Sequence, residues 1–372
     1  MKLLHLADLH IGKMLYGYSL IDDQQYLFES IYQTIHKEAI DLVMVAGDVY
    51  DRAIPSVEAV NLLNEFLERL VNECQVKVLL ISGNHDSASR LNFGSGILEK
   101  KGLHIVTEIT EQLKRVTYQD DEGDVNFYML PYFTKSELKA VLGIEDKHIS
   151  LDSLMKEYMA RQKFDFSQRN VLIGHLTCIG GMGVDDVAGL EWVSPQCFDG
   201  LDYVALGHLH ACHRVNQKEI YYAGSPLRLS IDEAKQKKGL MMIDLRDKGM
   251  VRVETLPVVA KRDLIVKEGY LNDLLAEPKN DQYVFLTLLD ETLQVNAADR
   301  ARDVYSHLLG LSYKKLNALP KSKLHHELKH MATLSPLALF TSFYEELMDT
   351  PMSEETKILF KQYFEKEDAN EN

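Results

Sequence analysis

No apolar run in this chain approaches the ~20 residues needed to cross a bilayer, so no membrane-spanning helix is expected. Cysteine is scarce and scattered. Cys74, Cys178, Cys197 and Cys212 include no Cys-x-x-Cys pair, which indicates neither a zinc knuckle nor a disulfide framework. The chain enters an apolar segment at Lys2-Leu3-Leu4 without the pattern of a signal peptide, and the expected location is the cytoplasm. Basic residues are outnumbered, 41 Lys and Arg against 56 Asp and Glu, for a formal net charge of −15. That balance excludes a protein that coats nucleic acid through a broad basic surface. What is present is a chain of 372 residues, 46% apolar, long enough for a large core and more than one domain.

Five short apolar runs each end in a polar loop. Lys2 to Ala7 leads into Asp8-Leu9-His10, Leu42 to Ala46 into Gly47-Asp48-Val49-Tyr50-Asp51-Arg52, and Val76 to Ile81 into Gly83-Asn84-His85-Asp86. Downstream, Asn170 to Gly174 leads into His175, and Tyr203 to Gly207 into His208-Leu209-His210. Runs rich in Val, Leu and Ile read as buried parallel strands, and Ser56 to Cys74 between two of them has helical spacing. The loops therefore open at the carboxyl edge of a sheet, where open α/β folds bind ligands. Asp8, His10, Asp48, Asn84, His175, His208 and His210 are all metal-ligand types, and the mixture suits manganese, iron or zinc. Seven ligands are too many for one ion but suit two if a carboxylate bridges.

The ordered set Asp-x-His, Gly-Asp-x-x-Asp-Arg, Gly-Asn-His-Asp, Gly-His and Gly-His-x-His resembles the calcineurin-like metallophosphoesterases. Within them, residues 1–260, with Tyr222-Ala223-Gly224-Ser225-Pro226, resemble the SbcD family of nucleases. The resemblance implies a two-sheet αββα sandwich with a small α/β capping domain and a C-terminal helical tail. It assigns one ion to Asp8, His10 and His210 and the other to Asn84, His175 and His208, with Asp48 bridging and Mn²⁺ as the metal. Two such ions about 3.5–4 Å apart clamp a phosphate and activate water. His85 would stabilise the transition state or protonate the departing oxygen, Asp51 would orient His85, and Arg52 would contact phosphate or pair with a loop carboxylate. Cys212-His213 stands where many family members have Pro-Gln and is given no role.

Elsewhere, helices are expected at Asp22 to Glu38, Ser87 to Lys101, Glu145 to Phe164 and Ala297 to Leu309, and hairpins within 103–130 and 239–256. Val57–Val71 and Arg90–Leu98 either form a homodimer contact, as the resemblance implies, or simply cover the sheet. The glycine-rich loop from Gly180 to Trp192 is a connector or a border of the substrate path. Domain limits are expected at 1–260, 263–333 and 334–372. Lys314, Lys315, Lys321, Lys323 and Lys329 form either a DNA-backbone patch or a solvated face. Beyond Ser335, two amphipathic helices either pack on the cap or grip the coiled coil of an SbcC-type ATPase, as the resemblance implies. The expected function is a two-metal DNA nuclease, acting as a 3′→5′ exonuclease and as a hairpin or single-strand endonuclease. A stand-alone phosphomonoesterase or cyclic-nucleotide phosphodiesterase and a non-catalytic scaffold are the alternatives.

Overall fold

The computed structural model describes residues 1–179 and 191–314, and beyond them only residues 337, 340, 341, 344, 352, 353, 356 and 357. In chain order the first half comprises β1 (Lys2–Leu6), a small hairpin of β2 (Met14–Leu15) and β3 (Tyr18–Ser19), α1 (Ile21–Glu38), β4 (Leu42–Ala46), α2 (Val57–Asn72) and β5 (Lys77–Ile81). Short helices α3 (Ala88–Leu91) and α4 (Ser95–Leu98) then lead to β6 (Leu103–Val106), β7 (Lys114–Asp120), β8 (Gly123–Leu130), α5 (Lys135–Leu142), α6 (Leu151–Ala160) and β9 (Arg169–His175). There follow β10 (Tyr203–Gly207), β11 (His213–Arg214), β12 (Ile220–Tyr222), β13 (Gly239–Leu245), β14 (Val251–Pro257) and β15 (Leu264–Gly269). Last come α7 (Leu271–Leu275), β16 (Asn280–Leu288), α8 (Ala297–Arg302) and β17 (Tyr305–Tyr313).

Two six-stranded sheets face each other, ordered β14-β13-β1-β4-β5-β6 and β11-β12-β10-β9-β8-β7. Their apolar runs lack polar alternation because both faces of each central strand are covered. Leu3, Met44, Leu79, Phe127, Val171 and Ala205 fill the space between the sheets. On one outer face Leu4, Val43, Val45 and Leu80 pack with Phe28, Ile31, Leu63 and Phe66 of α1 and α2. On the other, Leu130, Leu172 and Leu206 pack with Leu138 of α5 and with Leu154 and Tyr158 of α6. The αββα sandwich expected from the sequence is the fold.

Several local expectations need revision. Gly94, at φ 75°, breaks the helix expected over Ser87 to Lys101 into α3 and α4. Ser150 caps α6 by accepting from Ser153 N, so that helix starts six residues later than Glu145. α5 was not anticipated; Thr134 and Glu137 close its first turn as a capping box. The helix expected from Ala297 to Leu309 ends at Arg302. From Tyr305 the chain joins a sheet ordered β15-β16-β17, with Tyr305 fully buried and its hydroxyl donating to the carbonyl of Leu274 (2.9 Å). Strand pairing has overridden local helical spacing there.

The chain falls into two compact units. Residues 1–267, 272–286 and 296–311 form the first, and the described residues among 268–271, 287–295 and 312–372 belong to the second. The loop at 180–190, Lys315 to Lys329 of the basic run and most of the C-terminal helical segment lie outside the described residues. Among the described residues no helix is long and apolar enough to cross a membrane.

Candidate metal centre

All five expected loops meet at the carboxyl edge of the sandwich. Backbone bonds continue past the strand ends: Asp8 N donates to Gly47 O (3.1 Å), His10 N to Asp48 O (3.0 Å) and Ile11 N to Val49 O (2.8 Å). Asp8, His10, Asp48 and His208 adopt positive φ (51°, 43°, 49° and 98°), a region that non-glycine residues enter only when surroundings hold them there. Two glycines allow the elements to close. A Cβ on Gly47 would lie 2.3 Å from His175 Nδ1, and one on Gly83 would lie 2.1 Å from Asp48 Oδ1.

Asp8, His10, Asp48 and His175 are buried, whereas Asn84 and His85 are exposed. Asp48 sits between the two expected ligand sets: its Oδ2 is 3.6 Å from His10 Nε2 and 3.4 Å from His175 Nε2. His10 Nε2 is 3.1 Å from His210 Nε2. Across the site, Asn84 Oδ1 lies 3.1 Å from His175 Nε2 and 3.0 Å from His208 Nδ1. The potential ligand atoms of Asp8, His10 and His210 lie within 4.8 Å of one another, as do those of Asp8, Asp48 and His175.

Partners outside the centre fix which ring nitrogens face inward. His175 Nδ1 donates to the carbonyl of Ala46 (2.8 Å), and His210 Nδ1 donates to the Glu233 carboxylate (2.9 Å). Each neutral ring then directs its Nε2 lone pair inward. His175 Nε2 faces the oxygens of Asn84 and Asp48, an arrangement of acceptors against acceptors that a cation would satisfy. His10 Nδ1 is buried and has no hydrogen-bond partner. The donor set thus fits divalent ions.

Electrostatics reflect this crowding. Burial raises the Asp8 carboxyl above the ordinary range, with the nearby imidazoles opposing it. Burial, aided by His175, lowers His208 to about 4. Burial also pushes Asp51 upward, but His10 and Lys13 bring it down to about 2. For Glu233 burial acts upward too, and the bonds from His210 and Lys238 hold it at about 2.

The remaining expected residues fall around this centre. His85 N donates to Asp48 Oδ1 (2.9 Å), and His85 Nδ1 donates to the main-chain carbonyl of Asp51 (2.8 Å). The Asp51 carboxylate instead accepts from Lys13 Nζ (2.9 Å) and lies 3.6 Å from His10 Nδ1. Arg52 is 62% exposed, with a nitrogen 3.7 Å from Asp51 Oδ2. Sequence reasoning missed the support around these residues. Asp86 accepts from Val49 N, Tyr50 N and Gly83 N (3.0, 2.8 and 2.8 Å), and its place in Gly-Asn-His-Asp could have flagged it. Glu233 and Lys238 carry no spacing signal relative to His210. A cleft of about 470 Å³ opens beside Asn84, bordered by Tyr132, Thr134 and Glu108.

Comparisons with known proteins identify the family. The calcineurin-like phosphoesterase family matches residues 1–212, and a domain described as the type 5 capsule protein repressor C-terminal domain matches residues 260–347. SbcD of the nuclease SbcCD from Staphylococcus epidermidis is 34% identical over 324 residues, 84% of this chain and 85% of that protein. The Staphylococcus saprophyticus protein of the same name is 29% identical over 359 residues, 93% of each chain. The chain belongs to the calcineurin-like phosphoesterases and, within them, to the SbcD family.

Proposed function

We propose that this chain is a DNA nuclease with two divalent ions, Mn²⁺ in the working enzyme, that acts with an SbcC-type ATPase at DNA ends. The observation that carries the reading is the convergence of imidazole lone pairs and carboxylates around Asp48. Asp8, His10 and His210 would hold one ion, Asn84, His175 and His208 the other, with Asp48 shared. Bound there, the ions would supply Lewis acidity toward the phosphate and lower the pKa of water.

The chain's own groups do the rest. His85 commits Nδ1–H to the Asp51 carbonyl, so when the ring is protonated on both nitrogens Nε2–H is the proton left to give to the departing sugar oxygen. Asp51 orients His85 through its main chain, while its carboxylate steadies Lys13 and faces His10. The exposed guanidinium of Arg52 suits a flanking phosphate. Digestion in the 3′→5′ direction and endonuclease action on hairpins or single strands belong to the same proposal.

The architecture supports further parts of the reading. Val57, Phe93 and Ile97 are 72%, 88% and 77% exposed on α2, between α3 and α4, and on α4. Apolar side chains this open favour a homodimer contact over a mere cover for the sheet. The divisions 1–260, 263–333 and 334–372 are proposed as the nuclease domain, the cap and the segment that grips the ATPase.

The test is digestion of end-labelled duplex and hairpin DNA with Mn²⁺, Mg²⁺ or no metal. Wild type runs beside His85→Ala and Asp48→Ala, with a small phosphodiester as control. Mn²⁺-dependent cutting, lost in both variants, is expected. Turnover of the small ester with DNA left intact even after the ATPase is added would instead favour a small-molecule esterase.

A further inference from the structure

The two halves of the centre are supported by different means. His175 ends β9, and its outward Nδ1 donates to the main chain of β4 at Ala46 (2.8 Å). His210 lies in a loop, and its outward Nδ1 is held by a side chain 23 residues away, Glu233 (2.9 Å). Glu233 is 4% exposed, and its second oxygen accepts from Lys238 Nζ (2.6 Å), Ser225 Oγ (3.1 Å) and Leu229 N (3.2 Å). Lys238 Nζ also lies within hydrogen-bonding distance of the main-chain carbonyl of His210 (2.9 Å), Ser225 Oγ (2.7 Å) and Gln236 Oε1 (2.9 Å), so that its three N–H groups are shared among four acceptors. One buried ion pair therefore grips His210 by ring and backbone together. Arg228 ties down the segment that carries the pair, donating to Gln236 O (2.8 Å) and to the Asp263 carboxylate.

We propose that Glu233 and Lys238 are positioning residues for His210, and that this pair sets the affinity of the metal position formed by Asp8, His10 and His210 alone. The inference rests on the two-ion reading. A carboxylate that accepts Nδ1–H fixes the ring tautomer, turns Nε2 inward and makes it a better donor to a metal. Lys238 aims that carboxylate and pins the backbone from which the ring hangs. The His175 position has no such dependence, because its outward partner is a strand carbonyl.

The test is titration of the metal-free full chain with Mn²⁺, read by calorimetry and by the electron paramagnetic resonance signal of free Mn²⁺. Glu233→Gln is expected to leave one ion at wild-type affinity and to weaken the other about 10–100-fold, the usual effect of losing such a partner. Because Glu233→Gln strands a buried ammonium, the double variant E233Q/K238M removes both charges. It is expected to recover the wild-type melting temperature while keeping the single weakened site. Asn84→Ala serves as the complementary control and should weaken the other ion. If Glu233→Gln and the double variant bind both ions as wild type does, or lose both equally, the inference is overturned. If wild type itself binds fewer than two ions, the two-ion reading fails instead.

Discussion

The two ends of the sandwich use charge in opposite ways. At the end away from the candidate centre, charges are matched within the protein. Arg169, 3% exposed, donates to both oxygens of Asp120 and to the carbonyls of Arg246 (3.1 Å) and Gly123 (2.7 Å). Asp202 likewise accepts from Asn170 N (2.7 Å), Lys248 Nζ (2.6 Å) and Gly249 N (2.8 Å). At the carboxyl end, Asp8 and Asp48 instead face imidazoles whose lone pairs point the same way, and the backbone at four site residues is left-handed. The same strands therefore carry a self-sufficient end that holds the fold and, at the candidate centre, an end whose facing acceptors suit cations. The proposed function sits where charge is left unmatched within the protein.

This contrast can be broken from either end. The largest effect is expected for Asp48→Ala: loss of one or both Mn²⁺ ions and a fall in DNA cleavage of more than about 10³-fold, with folding retained. Metal titration and cleavage assays, with circular dichroism as the check on folding, decide it. Arg169→Ala should do the reverse, costing about 3–5 kcal/mol of stability in urea unfolding because a buried charge network loses its centre. Mn²⁺ affinity of the remaining folded protein should be unchanged. If the metal affinity falls instead, the two ends are not independent.

Gly47→Ala is expected to be intermediate. A left-handed β-carbon costs roughly 1–2 kcal/mol, and it would also displace His175, 2.3 Å away. The variant should therefore melt lower and bind metal more weakly, which separates it from Arg169→Ala. The smallest effect concerns acid. Arg169 holds the Asp120 carboxyl below its ordinary value of 3.8, so the folded state favours the ionised form. That contribution is complete above about pH 4 and disappears as pH falls through the depressed value. Melting temperatures of wild type and Asp120→Asn should differ above about pH 4 and converge in stronger acid.

The candidate centre could be proposed from the sequence because each expected ligand lies within a few residues of the end of an apolar run, so local order already placed it near a strand's end. Strand pairing then brought together residues as distant as Asp8 and His208, whose amide donates to Asp8 Oδ1 (3.0 Å). The supports were legible only where they share a motif with a ligand, as Asp86 does. Glu233 and Lys238 reach His210 through a long connection, and nothing in their spacing requires the contact. Local rules failed where tertiary structure overruled them, at β17 and at the break by Gly94. The role of Asp51 shows a finer limit: motif spacing brings the residue to His85, but only the folded chain reveals that its carbonyl makes the bond.

The pairing of β1 has a consequence for how the chain is made. β1 lies between β4, with Leu3 opposite Leu42, and β13, with Lys2 opposite Asp244. During translation β4 follows within moments, but β13 arrives only after roughly 12–47 s at about 5–20 residues per second. Until then one edge of β1 is an unpaired apolar strand, the kind of surface on which nascent chains aggregate or recruit chaperones. His210 also emerges shortly before β13, so the last candidate ligand and the strand that seals the first sheet reach the folding chain in close succession. A truncation ending before Gly239 should accordingly neither fold nor bind metal, and metal capture should follow the emergence of β13 rather than precede it.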